Sequence, residues 1–324
     1  MSRKALILGI AGQDGSYLAE HLLESGYEVE GVLRRNSTPE HQESRIHHLV
    51  NSIKTYYGDV TDASSIARVL QVSQPDVIYN LAAQSHVRIS YDVPEFTVET
   101  NGVAVLKLLE VIRQQYPSVR FYQASSSEMF GSAVDPDGFQ RETTPMHPVS
   151  PYGCAKLLAY SAVRNYRHAY QLFATNGILF NHESSRRGSN FVTSKVVKTA
   201  VSISRGLEEK LTLGNLDSYR DWGHSRDYVR AMLLMMEMPS PDDFVVATGQ
   251  TFSVRNLCEI VFSKLGMNYR DYVIQDPKYM RPEELPYLRG DSGKFRESSG
   301  WQPEITFEAL IDEMLEYWSQ QLPR

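Results

Sequence analysis

Long hydrophobic runs are missing from this chain of 324 residues. No apolar stretch approaches the roughly 20 residues that a membrane-spanning helix needs. The opening Ser2-Arg3-Lys4, followed by Ala5-Leu6-Ile7-Leu8, has the basic-then-apolar order of an export signal. Gln13-Asp14 cuts it off, however, and no small-residue cleavage site follows. The expectation is a cytoplasmic protein with no membrane partner. Cysteine is scarce: Cys154 and Cys258 are far apart and neither belongs to a C-x-x-C. That argues against a disulfide framework and against a zinc centre, and no metal is expected. Excess positive charge is also absent, with 33 Lys and Arg against 39 Asp and Glu and a net charge of −6. A general nucleic-acid partner is therefore not expected, and any basic site must be local. There is no internal repeat and no low-complexity segment. What remains is 42% hydrophobic and 22% charged, enough apolar material for a core that needs no covalent staple.

The first half of the chain alternates short apolar runs with helical spacing. Strands are expected at 4–9, 28–34, 54–58, 76–81, 120–125 and 173–179. Helices are expected at 15–26, closed by Gly26, and at 62–73, 95–115 and 151–171. This alternation implies an α/β fold, a doubly wound parallel sheet of Rossmann type. After about residue 180 the alternation weakens. Helices at 190–206, 224–238 and 306–319 and a strand at 243–247 are still legible. We therefore expect a dinucleotide-binding domain over 1–180, joined by 224–248, and a smaller, discontinuous α/β substrate domain within 181–324.

Gly9-Ile10-Ala11-Gly12-Gln13-Asp14-Gly15 lies between the first strand and the first helix. Glycines Gly9, Gly12 and Gly15 suit a tight turn whose backbone approaches a pyrophosphate at a helix N-terminus. The spacing is G-x-x-G-x-x-G rather than G-x-G-x-x-G, and a plain strand–turn–helix would share it. The second strand ends in Arg34-Arg35, where a site for NAD usually carries an acidic residue on the ribose. Two arginines suit the 2′-phosphate of NADP instead, a solvated basic turn being the alternative. Asp59 and Val60, after the third strand, fit either an adenine contact or a capped turn. Leu81, Ala83, Gln84 and Ser85, after the fourth, give a stretch of small and polar residues along which a cofactor backbone can pass.

The reacting groups follow. In Ser150-Pro151-Tyr152-Gly153-Cys154-Ala155-Lys156, Ser150 is a helix cap and Pro151 a first-turn residue, so Tyr152 and Lys156 share one helix face. A phenol near pKa ~10 is a poor base at neutral pH, and a neighbouring ammonium favours its ionised form. Ser126 and Glu128 sit at the C-terminal end of a strand, where ligands bind in such sheets. Ser126 could hydrogen-bond a substrate hydroxyl. Glu128 adds a carboxylate that plain alcohol oxidation does not need, and it could remove a proton from carbon beside a ketone. A capping turn would explain the same Ser-x-Glu.

Taken together, these motifs resemble the nucleotide-sugar enzymes of the extended short-chain dehydrogenase/reductase superfamily. The run from Gly9 through Glu20, the Gly177–Ser184 segment, Asn190-Phe191-Val192-Thr193, Gly214-Asn215-Leu216-Asp217 and Arg220-Asp221-Trp222-Gly223-His224 are most similar to the GDP-mannose 4,6-dehydratase family. The resemblance implies an internal redox dehydration of a GDP-sugar with NADP as resident cofactor, and Ser126, Glu128, Tyr152 and Lys156 as catalytic residues. It implies cofactor contacts from Gln13, Asp14, Arg35, Asp59, Gln84, His182 and Arg187. Contacts with the GDP-sugar would come from Ser85, Asn181, Asn190, Lys195, Gly214, Arg220, Arg281 and Glu284, and Trp222 would serve packing. It further implies a homodimer or homotetramer, with the Arg34–Ser37 loop reaching a neighbour's cofactor. The chain departs from the family's usual residues at Ser126 (commonly Thr), Phe130 (commonly Tyr) and Ser185 (commonly Pro). A GDP-manno-heptose is the competing substrate. An epimerase or ketoreductase on the same fold, or a non-catalytic NADP-binding protein, are the competing functions.

Overall fold

The structure, a computed structural model, describes residues 2–35 and 44–323. Asn36 and Ser37, part of the loop expected to reach a neighbour, lie outside the described residues. Seven parallel strands form the central sheet: β1 (Lys4–Leu8), β2 (Glu28–Leu33), β3 (Lys54–Tyr57), β4 (Val77–Asn80), β5 (Arg120–Ser126), β6 (Ala174–Leu179) and β11 (Asp243–Val246). Their spatial order is β11-β6-β5-β4-β1-β2-β3, so the strand order reverses between β1 and β4. That reversal opens the crevice at the strands' C-terminal ends in which doubly wound sheets take ligands.

The inner strands β1 and β4 are buried along almost their whole length, as a sheet covered on both sides requires, whereas the edge strand β3 is largely exposed. On one face lie α1 (Gln13–Glu24) and α8 (Ser225–Glu237). Leu18 and Leu22 of α1 meet Met232 and Met236 of α8 in the same core as Phe295 and Trp301. The other face carries α2 (Ala63–Ser73), α5 (Ala104–Gln115) and α6 (Pro151–Tyr170), with Val69, Leu109 and Val163 buried against the sheet. The chain thus leaves the sheet after β6 and comes back to it with α8 and β11. The expected helix over 15–26 is observed as Gln13–Glu24. Ser25 is its cap, and Gly26, at φ +80°, is the residue that turns the chain away.

The remaining residues build a second core. Helices α7 (Val192–Ser204), α9 (Val254–Lys264) and α11 (Phe307–Gln321) bury Val197, Val201, Leu257, Val261, Leu310 and Met314 together. Trp222 is packing: it is 2% exposed and stacks on Phe307 at 5.4 Å. Three two-stranded ribbons stitch this part to the crevice. Strand β7 (Asn181–Glu183) pairs with β10 (Trp222–His224), β8 (Leu211–Leu213) with β13 (Val273–Gln275), and β9 (Tyr219–Arg220) with β12 (Phe252–Ser253).

Candidate active site

The glycine loop comes first. Gly9 adopts φ +87°, a conformation that L side chains rarely take. A Cβ on Gly15 would stand 2.3 Å from the Gly9 carbonyl oxygen, so only glycine lets α1 start this close under the loop. Gly12 is the N-cap residue and supplies no side-chain cap. The first-turn amides of α1 therefore have no intrahelical acceptor and face the crevice, the arrangement an anion such as a pyrophosphate completes. Residues and backbone here fit a dinucleotide.

Around this loop the expected cofactor residues are organised mainly through one another. Gln13 donates to the His182 carbonyl at 3.1 Å and accepts from Ser184 Oγ at 2.9 Å. Asp14 meets His182 Nε2 at 2.8 Å. Burial pushes the Asp14 carboxyl up, but the charge and hydrogen bond of His182, helped by Arg187, outweigh it and hold it below its ordinary value. His182 is raised in turn: Asp14 and the Phe180 carbonyl overcome its desolvation. Arg187 pairs with Glu183 at 2.9 Å and covers the Phe191 ring at 3.6 Å. Asp59 accepts from the amide and hydroxyl of Thr61 at 2.9 and 2.8 Å, while Val60 packs with Leu8 and Ile66 beside the loop. Arg34 lies 5.9 Å from the Phe96 ring, and Arg35 is exposed at the end of β2.

Sequence reading missed two members of this region. Arg45 donates to the Ala11 carbonyl at 3.3 Å and to the Arg186 carbonyl at 2.8 Å, strapping the glycine loop to the 184–188 turn. Asn101 lies in a one-turn π segment, Glu99–Val103, between α4 (Pro94–Val98) and α5, where a continuous helix over 95–115 was expected. Its carboxamide accepts from the Gln84 amide and donates to the Gln84 carbonyl, both at 2.8 Å. It thereby fixes the chain through Leu81, Ala83 and Gln84. The Gln84 side chain is committed to His86 and Thr97, whereas Ser85 is exposed.

At the nicotinamide end the four expected catalytic residues converge. Ser150 caps α6 by accepting from the Gly153 amide at 3.0 Å, which sets Tyr152 and Lys156 facing the end of β5. A Cβ on Gly153 would come 2.8 Å from the Glu128 carbonyl, so this glycine lets α6 and the Ser127–Met129 turn touch. Ser126 Oγ accepts from the Glu128 amide at 3.2 Å and hydrogen-bonds the Tyr152 phenol. Burial pushes Tyr152 up to about 12, against the Ser126 hydrogen bond. Burial pulls Lys156 down to about 8. Glu128 is 7% exposed, and its Oε1 lies 3.1 Å from Arg281 Nη1.

Most of the expected substrate residues come from the ribbons and the C-terminal loop. Arg220 is 6% exposed and anchors one amino group on the Tyr219 and Leu285 carbonyls, both at 2.8 Å. Burial lowers its guanidinium to about 10. Glu284 accepts from the Arg281 amide at 3.0 Å. Lys195 donates to the Thr212 carbonyl at 2.7 Å and lies 4.3 Å from the Tyr279 ring. Gly214 comes within 2.7 Å of the Tyr279 carbonyl, measured from an added Cβ. Asn190 accepts from His86 through its carbonyl at 3.3 Å, and Asn181 opens β7. Among the described residues no cluster of His, Cys, Asp and Glu could hold a metal, and no helix is long and apolar enough to cross a membrane.

A dinucleotide loop, a Tyr–Lys helix face and a strand-end Ser–Glu pair define a sugar-nucleotide enzyme of the short-chain dehydrogenase/reductase type. A solved UDP-glucose 4-epimerase from Thermotoga maritima, determined with UDP-glucose, has the same fold. Its TM-score is 0.86 at 27% identity, over 99% of this chain and 100% of that one. The family model described as GDP-mannose 4,6 dehydratase matches residues 6–314. GDP-mannose 4,6 dehydratase 2 of Arabidopsis thaliana is 49% identical, over 96% of this chain and 86% of its own length. The human GDP-mannose 4,6 dehydratase is 46% identical, over 96% and 90%. The chain belongs to the GDP-mannose 4,6-dehydratase family, and its class is that of a hydro-lyase.

Proposed function

We propose that this enzyme converts GDP-mannose to GDP-4-keto-6-deoxymannose and water, with NADP as a resident cofactor. The observation that carries the reading is the buried Glu128 carboxyl on the turn capped by Ser126, directly against the helix of Tyr152 and Lys156. An epimerase or ketoreductase has no use for a carboxylate at that point. A nicotinamide held between the Gly9–Gly15 loop and the Tyr152–Lys156 face would supply reversible hydride transfer between sugar C4 and C6, so that no reductant would be consumed.

Tyr152, as phenolate, takes the proton of the C4 hydroxyl, with Ser126 donating to the oxygen that becomes the ketone. Phenolate at neutral pH requires added positive charge nearby, because burial, even against the Ser126 hydrogen bond, holds Tyr152 near 12. The Lys156 ammonium and the oxidised nicotinamide are the two sources. The new C4 ketone acidifies the C5 proton. Glu128 removes it and delivers a proton to the C6 hydroxyl, which leaves as water. Hydride return to C6 would leave an enolate, and Glu128, recharged through solvent in exchange for the proton that Tyr152 took from the C4 hydroxyl, would protonate C5.

Arg220 and Arg281 present guanidinium groups to the diphosphate. Arg34 and Arg35 support NADP over NAD, because they stand where a 2′-phosphate would sit. The same family reading carries a homodimer or homotetramer, to be checked by light scattering. The test of the reaction is incubation with GDP-mannose, and in parallel GDP-manno-heptose, without added NADPH. Mass spectrometry should find loss of one water from the mannose substrate. A product that forms only with NADPH and loses no water would overturn the reading in favour of a reductase. Dehydration of the heptose alone would move the substrate.

A further inference from the structure

Arg281 and Glu128 are 153 positions apart in sequence, yet their charged ends meet at 3.1 Å inside the crevice. The guanidinium is the closest cation to the carboxylate, but several other groups face it. Arg220 approaches from β9, the Tyr152 phenol from α6 and Tyr91 from the turn after α3 (Val87–Ser90). Glu284, from the loop that carries Arg281, also acts on both arginines, and Glu283 of the same loop acts on Tyr91. Glu284 grips the Arg281 backbone amide at 3.0 Å. The loop is therefore pinned through its backbone, independently of where the guanidinium points.

A carboxylate held by a guanidinium has a lone pair committed to an N–H donor. Such a group is a slow base toward a C–H bond. A diphosphate brings more negative charge than one carboxylate and presents planar oxygen pairs that suit a guanidinium fork. It would also draw on Arg220, which has one amino group anchored on backbone carbonyls and lies in the same charged cluster.

We propose that Arg281 is a substrate-operated latch on Glu128. The guanidinium holds the carboxylate until a nucleoside diphosphate arrives, and the diphosphate then draws it away and frees the carboxylate to deprotonate C5. This rests on the reading of Glu128 as the C5 base. It adds that the base is armed only by the part of the substrate remote from the reacting carbons, a use of remote binding energy to drive chemistry.

The experiment supplies the two halves of the product separately. The NADP-loaded enzyme is given free 6-deoxy-4-ketomannose in D2O, with or without GDP, and deuterium entering C5 is followed by NMR. The wild type should exchange at least ten times faster with GDP than without it. Arg281→Met should exchange faster than the wild type in the absence of GDP and gain nothing when GDP is added. Arg281→Gln should do the same, and it carries the test if the methionine variant fails to fold. If the wild type ignores GDP, or neither variant outpaces it without GDP, Arg281 is a binding group only and the latch is overturned. Glu128→Gln separates the two failures. Exchange by Glu128→Gln at the wild-type rate removes the base, and the latch falls with it. A silent Glu128→Gln beside a wild type indifferent to GDP leaves the base standing and overturns the latch alone.

Discussion

Lys156 Nζ donates to the Ala124 carbonyl oxygen at 2.7 Å and lies 5.7 Å from the centre of the Tyr152 ring. The ammonium is thus fixed by the strand end, within cation–π reach of the Tyr152 ring. Gln123 donates to the same carbonyl at 3.0 Å, and Asn80 holds Gln123 at 2.8 Å, so the oxygen that orients Lys156 is itself oriented.

Burial takes Lys156 from 10.5 to about 8. Between roughly pH 8 and 10.5 the unfolded chain therefore binds a proton that the folded chain lacks, and stability from this group rises with pH across that window. Below about 8 the full cost of a buried ammonium is present. Lys156→Met should therefore be more stable at pH 7, by on the order of 1–3 kcal/mol and with a higher thermal midpoint, while lowering kcat at least a hundredfold. A calorimetric scan beside a turnover assay checks both signs. A destabilised variant would mean that the Ala124 hydrogen bond outweighs the desolvation.

Replacing Glu128 with Gln keeps the shape and removes the carboxylate proposed as the C5 base. Water loss should fall by two to four orders of magnitude. Oxidation at C4 should survive, because Ser126, Tyr152 and Lys156 remain. Rapid mixing with GDP-mannose should then show reduced-cofactor absorbance rising without dehydrated product. Loss of both signals together would place Glu128 in the first step as well.

Gly153 is the contact point between α6 and the turn that carries Glu128. In Gly153→Ala the new Cβ would meet the Glu128 carbonyl at 2.8 Å and the Pro148 Cβ at 2.9 Å. One of the two elements must move. We expect a cost of about 1–3 kcal/mol from overpacking and a drop in kcat larger than any change in KM. An unchanged kcat would show that the turn yields without displacing the carboxylate.

Glu313 of α11 accepts from the amide and hydroxyl of Ser185, at 3.1 and 2.8 Å, and from His224 at 3.0 Å. Burial pushes its carboxyl up, but these donors and the His224 charge outweigh it and hold it at about 2. A folded value below the unfolded 4.5 gives stability that is full above about pH 4.5 and is lost as pH falls toward 2. Glu313→Gln should be less stable than the wild type at pH 6, and the gap should narrow below pH 4.5. Thermal midpoints measured across that range read it directly. Ser185 matters here, since a proline at this position would bring neither donor.

Much of the frame was legible in the sequence because buried parallel strands are short apolar runs and their helices repeat near every fourth residue. The Ser150-Pro151 helix start and the Gly9–Gly15 loop were legible for the same reason: local chemistry dictates them. Helix α9 was not foreseen. Its cap pairs Ser253 with Asn256, in place of the Glu or Gln that marks a capping box, so the usual start signal is muted. The widened turn at Asn101 leaves no periodic trace, since its one extra residue per turn is set by the Gln84 chain it grips. Nor could spacing reveal that Arg281 meets Glu128, because that contact exists only after the C-terminal loop has folded across the crevice.

The return of the chain to its first sheet has a consequence during synthesis. Until residues near 246 leave the ribosome, β6 remains an open sheet edge and α1 lacks the methionine-rich face of α8. Phe295 and Trp301, later still, complete that same layer. A nascent chain stalled near residue 200 would carry all four residues proposed as catalytic and still be a sticky, unfinished half, a natural client for a chaperone rather than a small enzyme in waiting.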